Sequence, residues 1–430
     1  GIEPGQKVGH LFPNCPEHFA VSLGIVGVGA VVVFLSPLGN ADAIAARAQE
    51  CHVDAICYAE RLAGLLPAEP AGATCEVKLF NGAEPAGVRM GPYSTSMDDR
   101  RLLAGLHAAV IGASSGTTGT AKGIVISHSA VCERAMMYHQ VPRLEMGDAV
   151  SWIQPLRRMP GALSFLFAGV RLVIGDAFEP NALKDLIRRE RVTQVYTAPM
   201  FYRTILQDDF PPEGLDGVRY LLCGGTALGE ALAEQFSAKF GREIVEHYGL
   251  TETGRVFINE SQTPAKRGSI GLPVRSEAKL QSSAGQVLEG EAAGKLLVRC
   301  ASLFDAYVGP WRGREEVLID GWLDTGDLAR RDADGYYWIV GRVKEMINVA
   351  GIKVFPKDIE AVLMTHETVE EALVYGAPDR RFGEVPLAKV KLRAGTLASR
   401  KELLEYVNDK LPLIKSLRGL ELVESIAKTE

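Results

Sequence analysis

The residues best suited to chemistry stand in one short run, Ser114-Ser115-Gly116-Thr117-Thr118-Gly119-Thr120-Ala121-Lys122-Gly123, just after the apolar stretch Ala108-Ala109-Val110-Ile111. Glycines let a backbone approach an anion and turn its N–H groups toward it, hydroxyls add donors, and a lysine supplies compensating charge. Such a run is suited to holding phosphate. The same composition also occurs in flexible surface connectors, and the segment alone does not separate the two. Its spacing is not Gly-x-x-x-x-Gly-Lys-Ser/Thr, because Ala121 stands five residues after Gly116 and Gly123 follows Lys122. That argues against a P-loop.

Three further segments follow in order: Gly224-Gly225-Thr226-Ala227, then His247-Tyr248-Gly249-Leu250-Thr251-Glu252-Thr253-Gly254, then Gly321-Trp322-Leu323-Asp324-Thr325-Gly326-Asp327 with Gly341-Arg342-Val343-Lys344. Taken singly, each has a plain alternative: Asp332-Ala333-Asp334-Gly335 is a turn, and Gly326-Asp327 could be one too. Their ordered succession resembles the adenylate-forming superfamily, which includes acyl- and aryl-CoA ligases, adenylation domains of peptide synthetases and luciferases. The phosphate run departs from that family's usual form at Ala121, where proline is common. The change removes a φ restraint but no phosphate-binding group.

The resemblance implies a residue-by-residue assignment. Thr117, Thr118, Gly119 and Lys122 would hold the β- and γ-phosphates of ATP, with Ser114, Ser115 and Gly116 in the same ATP-binding run. Gly224, Gly225 and Thr226, with His247, Tyr248 and Gly249, would border the adenine. Thr251 would contact the α-phosphate and Glu252 would coordinate Mg²⁺, a hard cation that prefers carboxylate oxygen. Asp327 and Arg342 would hold the ribose. Lys122, Thr251 and Glu252 are the catalytic candidates. The implied reaction joins a carboxylic acid to the α-phosphorus of ATP, releases pyrophosphate, and passes the acyl-adenylate to the thiol of coenzyme A. Such chemistry asks a protein mainly for positioning and charge compensation.

The acid pocket is expected between Arg158, Met159 and Gly161 and the backbone of Gly249 and Leu250, with Arg158 facing either a second anionic group or solvent. Lys344 is the expected hinge for rotation of a small C-terminal domain, although a lysine there is also compatible with a plain solvated surface. Gly351 is expected in the thiol tunnel. Two other functions stay open at this level. One is an adenylating enzyme that loads a carrier-protein phosphopantetheine or an amine, and the other is a non-catalytic ATP-binding relative.

These residues need a large scaffold. With 430 residues, of which 47% are hydrophobic, the chain can bury more than one core. A formal charge of −6 without a basic arm argues against a nucleic-acid partner. The seven cysteines form no Cys-x-x-Cys pair and read as reduced thiols, which suggests a cytoplasmic protein. Ala20 to Leu35 is interrupted by glycines and is shorter than the roughly 20 residues that span a bilayer. It reads as a buried helix feeding the strand Val31–Leu35, and no transmembrane segment is expected.

Asn181 to Arg191 has helical periodicity, while Val192–Tyr196 and Tyr220–Cys223 read as strands. The alternation predicts an α/β fold: a large N-terminal domain, 1–343, with mostly parallel sheets and a β-rich section after Ser269, then a small α+β domain, 344–430. In the latter, Ala372–Tyr375 and Leu387–Leu392 are strand-like and Lys401–Leu411 is an amphipathic helix. By the family pattern an opening segment before Gly1 is missing, and the catalytic lysine would follow Glu430. Lys428 matches only the first basic residue of the closing motif.

Overall fold

The computed structural model describes residues 2–37, 39–66, 74–77, 86–90, 94–113, 123–140, 144–153, 165–166, 169–174, 180–207, 210–260 and 266–426. The chain divides into two compact units. One comprises Gly1–Glu277 with Arg299–Trp322, the other Ala278–Val298 with Leu323–Glu430.

The first unit holds two large sheets. One has nine strands, in the spatial order Arg312–Gly313, Ala306–Val308, Gly123–Ser127, Ala108–Ala113, Val31–Phe34, Lys7–Leu11, Ala55–Ala59, Ala86–Met90 and Thr74–Val77. The other has seven, ordered Leu272–Pro273, Gly254–Asn259, Val245–Leu250, Tyr220–Cys223, Gln194–Thr197, Ala149–Trp152 and Arg171–Ile174. In both, parallel strands form a continuous block and antiparallel ones extend it. Strands of the parallel block such as Val31–Phe34 are buried at every position, which is why they read as unbroken apolar runs.

The helices begin and end where their chemistry allows. Pro16 opens Pro16–Gly27, four residues earlier than the apolar stretch alone suggested. That helix is buried on one face only, with Leu23 47% exposed. Asn40 caps Ala41–Glu50 by accepting from the Ala43 N–H (2.8 Å), and Gly241 ends Glu230–Phe240 at φ +64°. Pro180–Glu190 turns Leu183, Leu186 and Ile187 into the core beside the seven-stranded sheet, as its periodicity predicted. The strand after it is Gln194–Thr197, two residues later than expected, whereas Tyr220–Cys223 keeps the expected bounds.

In the second unit a five-stranded sheet includes Ala292–Cys300, Leu323–Arg331 and Tyr337–Arg342. A further sheet pairs Val369–Asp379 with Gly383–Leu392, and helices Pro356–Leu363 and Arg400–Lys410 share a core with it in which Ile359, Leu403 and Val407 of the helices join Val374 and Val390 of the strands. Ser399 and Glu402 form a capping box at the start of the last helix. No helix among the described residues is long and apolar enough to cross a membrane.

Candidate active site

The run expected to hold phosphate is flanked by an antiparallel pair. Ala108–Ala113 and Gly123–Ser127 lie side by side with Ala113 opposite Gly123, so segment 114–122 begins and ends at neighbouring positions. Ser114, Ser115, Gly116, Thr117, Thr118, Gly119 and Lys122 lie outside the described residues, as do Arg158, Met159 and Gly161. At the threshold of the loop the Arg47 guanidinium donates to the Gly112 carbonyl (3.0 Å) and pairs with Glu50 (2.9 Å).

The signature turn reaches the same threshold from the other sheet. A Cβ placed on Gly112 would lie 3.1 Å from Thr251 Cγ2, so Thr251 packs over the last residues before the phosphate run. The strand that delivers it, Val245–Leu250, carries a bulge at Tyr248/Gly249 against Gly254–Asn259. Gly249 is obligatory there, because a Cβ would fall 1.9 Å from the Gly254 carbonyl oxygen. Within the turn, the Thr253 hydroxyl accepts from the Leu250 N–H (3.0 Å).

Glu252 is half-buried, and its Oε1 accepts a hydrogen bond from the Tyr307 hydroxyl (3.0 Å). Burial, then the adjacent carboxylate, raises the Tyr307 phenol above its ordinary value, so it stays protonated and donates. The Glu252 carbonyl accepts from Arg134 Nη2 (3.1 Å) and from the Phe304 N–H (2.7 Å). Arg134 is itself buried, and desolvation lowers its guanidinium to about 10.

Gly224-Gly225-Thr226, expected to border adenine, leave the end of strand Tyr220–Cys223, with Gly225 at φ +96°. The buried Glu246 carboxylate ties this loop to the signature strand by accepting from the Leu228 N–H (3.0 Å). The His247 ring lies directly over Gly224, where a Cβ would meet its Cε1 at 2.0 Å. His247 also hydrogen-bonds Tyr196 through Nε2 and stacks on its ring at 5.2 Å, and Tyr196 stacks on Trp152 at 4.6 Å. The Tyr138 and Tyr196 hydroxyls are 3.2 Å apart, and Arg255 lies 4.0 Å above the Tyr138 ring. His247 is thus one member of a buried aromatic stack, while Tyr248 faces Phe257 edge-on at 5.8 Å.

Within the second unit Asp327 and Arg342 are direct cross-strand partners, joined by an ion pair of 3.0 Å, with Asp327 buried and Arg342 more open. Two residues on, Lys344 is exposed in the 3₁₀ turn Val343–Glu345. Gly351, at φ +86°, shares with Ala350 the tip of the hairpin between Ile347–Val349 and Ile352–Val354.

The family model for the AMP-binding enzyme matches residues 1–308, and that for the AMP-binding enzyme C-terminal domain matches residues 358–430. The chain belongs to the AMP-binding enzyme family. Its members are adenylate-forming, and the acid–thiol ligases among them are the relatives it resembles in sequence. It is 28% identical to a feruloyl-CoA synthase from Amycolatopsis sp, over all of this chain and 87% of that protein. It is 28% identical to a 4-coumarate–CoA ligase-like protein of Oryza sativa subsp. japonica, over 97% of this chain and 80% of that one. Among AMP-binding enzymes of known structure, ATP-bound MatB from Rhodopseudomonas palustris superposes with a TM-score of 0.80 at 23% identity, covering 100% of this chain and 86% of its own. The amide bond synthetase McbA from Marinactinospora thermotolerans gives 0.82 at 24%, covering 100% and 88%. Both likenesses are of fold.

Sequence reasoning missed the supports: Arg47, Arg134, Tyr196 and Tyr307. Arg134 had a faint signal, a cation inside the largely apolar helical run Ala130–Tyr138. Tyr307 had none, because its partner stands 55 positions away.

Proposed function

We propose that the protein is an AMP-forming acid–CoA ligase, with Lys122, Thr251 and Glu252 serving the ATP chemistry. The observation that carries the reading is the packing of Thr251 over Gly112, which brings the signature turn to the mouth of the phosphate run. By the family resemblance, Thr251 is the residue assigned to the α-phosphate of a nucleotide whose phosphates the run would hold. The Glu252 carboxylate, half-buried and oriented by a phenol, suits Mg²⁺ held jointly with nucleotide phosphates. Such a cation would offset phosphate charge.

The chain's own residues do the rest. Thr251 is assigned to the α-phosphate and Gly249 exposes backbone at the bulge, while Asp327 and Arg342, assigned to ribose by the resemblance, pair with each other within the second unit. The reacting acid would lie beside the backbone of Gly249 and Leu250. An aromatic or otherwise planar acid is the class favoured by the named activities of the sequence relatives. The acceptor is coenzyme A.

The test is pyrophosphate release across a panel of carboxylic acids, with products trapped by coenzyme A, by hydroxylamine or by a carrier protein. Thioester formation with free coenzyme A supports the ligase. Transfer only to a carrier or an amine replaces the acceptor, and nucleotide binding without pyrophosphate release by the native full-length protein overturns catalysis.

A further inference from the structure

Glu252 lies in a turn that its own strands do not hold alone. Segment Ser302–Tyr307, some fifty residues later, grips it at three points. The Ser302 hydroxyl donates to the Thr253 carbonyl (2.7 Å), the Phe304 N–H donates to the Glu252 carbonyl (2.7 Å), and the Tyr307 hydroxyl donates to Glu252 Oε1 (3.0 Å). Arg134 bridges both sides, with Nη2 on the Glu252 carbonyl (3.1 Å) and Nε on the Ser302 carbonyl (3.0 Å). Among the described residues, Tyr307 is the hydrogen-bond partner that the Glu252 carboxylate has.

The gripping segment is anchored in turn to the strand that leaves the phosphate run. Tyr307 sits opposite Ile124 in the antiparallel pairing of Ala306–Val308 with Gly123–Ser127. The Asp305 N–H donates to the Val125 carbonyl (2.9 Å), and the Asp305 carboxylate accepts from the Ser127 N–H (2.7 Å). One short segment therefore sets the register between the strand after Lys122 and the carboxylate of the signature turn.

We propose that Tyr307 is a positioning residue, whose phenol holds the Glu252 carboxylate in the orientation that receives a divalent cation alongside nucleotide phosphates. The proposal rests on the metal-binding reading of Glu252 given above. A glutamate side chain that is already oriented loses fewer rotamers on taking a cation, and hydrogen-bond partners of ligating carboxylates are typically worth about 10- to 100-fold in metal affinity.

The test variant is Tyr307→Phe in the full-length protein, which keeps the ring packed 4.6 Å from Phe304 and removes only the hydroxyl. Mn²⁺ binding to the protein with α,β-methylene-ATP is measured by electron paramagnetic resonance, nucleotide binding in EDTA by calorimetry, and adenylation as a function of Mg²⁺. The expected result is about 10-fold or greater weakening of Mn²⁺ binding, unchanged nucleotide affinity in EDTA, and adenylation that recovers at high Mg²⁺. Wild-type Mn²⁺ affinity in Tyr307→Phe, with Glu252→Gln weakened, overturns the role of Tyr307 alone. Wild-type affinity in both variants overturns the metal reading of Glu252 itself. Equal loss of nucleotide affinity in EDTA would make Tyr307 a general structural support and also overturn the proposal.

Discussion

Glu252→Gln keeps the side-chain shape and removes the charge a hard cation needs. Pyrophosphate release at ordinary Mg²⁺ should fall roughly 100-fold or more, while the melting temperature changes little. Near-normal release would reject the assignment. His10 makes a different kind of prediction. It is buried, stacked among Phe12, His18 and Phe34, and its Nε2 lies 3.1 Å from the His18 carbonyl oxygen. Burial, then the neighbouring His18, lowers its folded-state pKa well below the usual 6.5. The sign follows directly. Above the unfolded value both states are neutral and folding pays no charging cost, whereas below it the unfolded chain binds a proton the native ring refuses. Stability should therefore fall as pH drops below about 6.5, by up to about 1.4 kcal/mol per pH unit from this one group. His10→Phe should flatten the dependence of denaturant midpoint on pH between 7 and 5.5, and an unchanged slope would assign the loss to other groups.

The element that matters most is the bulged strand Val245–Leu250. Gly249→Ala would force a methyl against the Gly254 carbonyl, so the turn must open and Thr251 must leave Gly112. Adenylation should then fall by orders of magnitude, with Thr251→Ala a milder comparison in single-turnover assays. His247 sits on the same strand with its ring over Gly224 and against Tyr196. His247→Ala should remove the ring over Gly224 and weaken ATP binding about 10-fold or more, read as a raised KM for ATP. An unchanged KM for ATP would make the stack purely structural. The motif letters Tyr248–Glu252 were legible in sequence because each carries its own chemistry. The bulge was not, since it depends on how Gly254–Asn259 returns alongside.

At the scale of the whole molecule, the prediction concerns Lys344. The residue is exposed in a 3₁₀ turn two positions after Arg342, and a 3₁₀ φ is close to the value proline imposes. Lys344→Pro should hold that turn as it stands and resist the φ change a hinge must absorb. Single-turnover rates of the two half-reactions provide the measurement. Adenylate formation should survive better than thioester formation, and equal slowing of both, or of neither, would leave Lys344 an ordinary surface lysine. Compact packing places Leu323–Arg331 and Tyr337–Arg342 in the unit that contains Lys344 and the C-terminal sheet. Within that unit the Phe355 ring packs closely over Gly341, where an added Cβ would lie 3.0 Å from its Cδ1.

The sequence by itself determined what is local. Short-range residue types, read with the family resemblance, marked the run 114–123, the Tyr-Gly-Leu-Thr-Glu signature, Asp327 and Arg342 as candidates. Apolar periodicity located Pro180–Glu190, Tyr220–Cys223 and Arg400–Lys410 to within a residue or two, because helix and strand periods are set by neighbours in the chain. Only the tertiary structure decided which groups orient those motifs. Arg134 and Tyr307 meet Glu252 across 118 and 55 positions, Tyr196 meets His247 across 51, and Arg47 meets Gly112 across 65. Nothing in the type or spacing of these four residues encodes such meetings. They exist because strand order and register carry distant segments to one edge, where buried polar atoms must find partners.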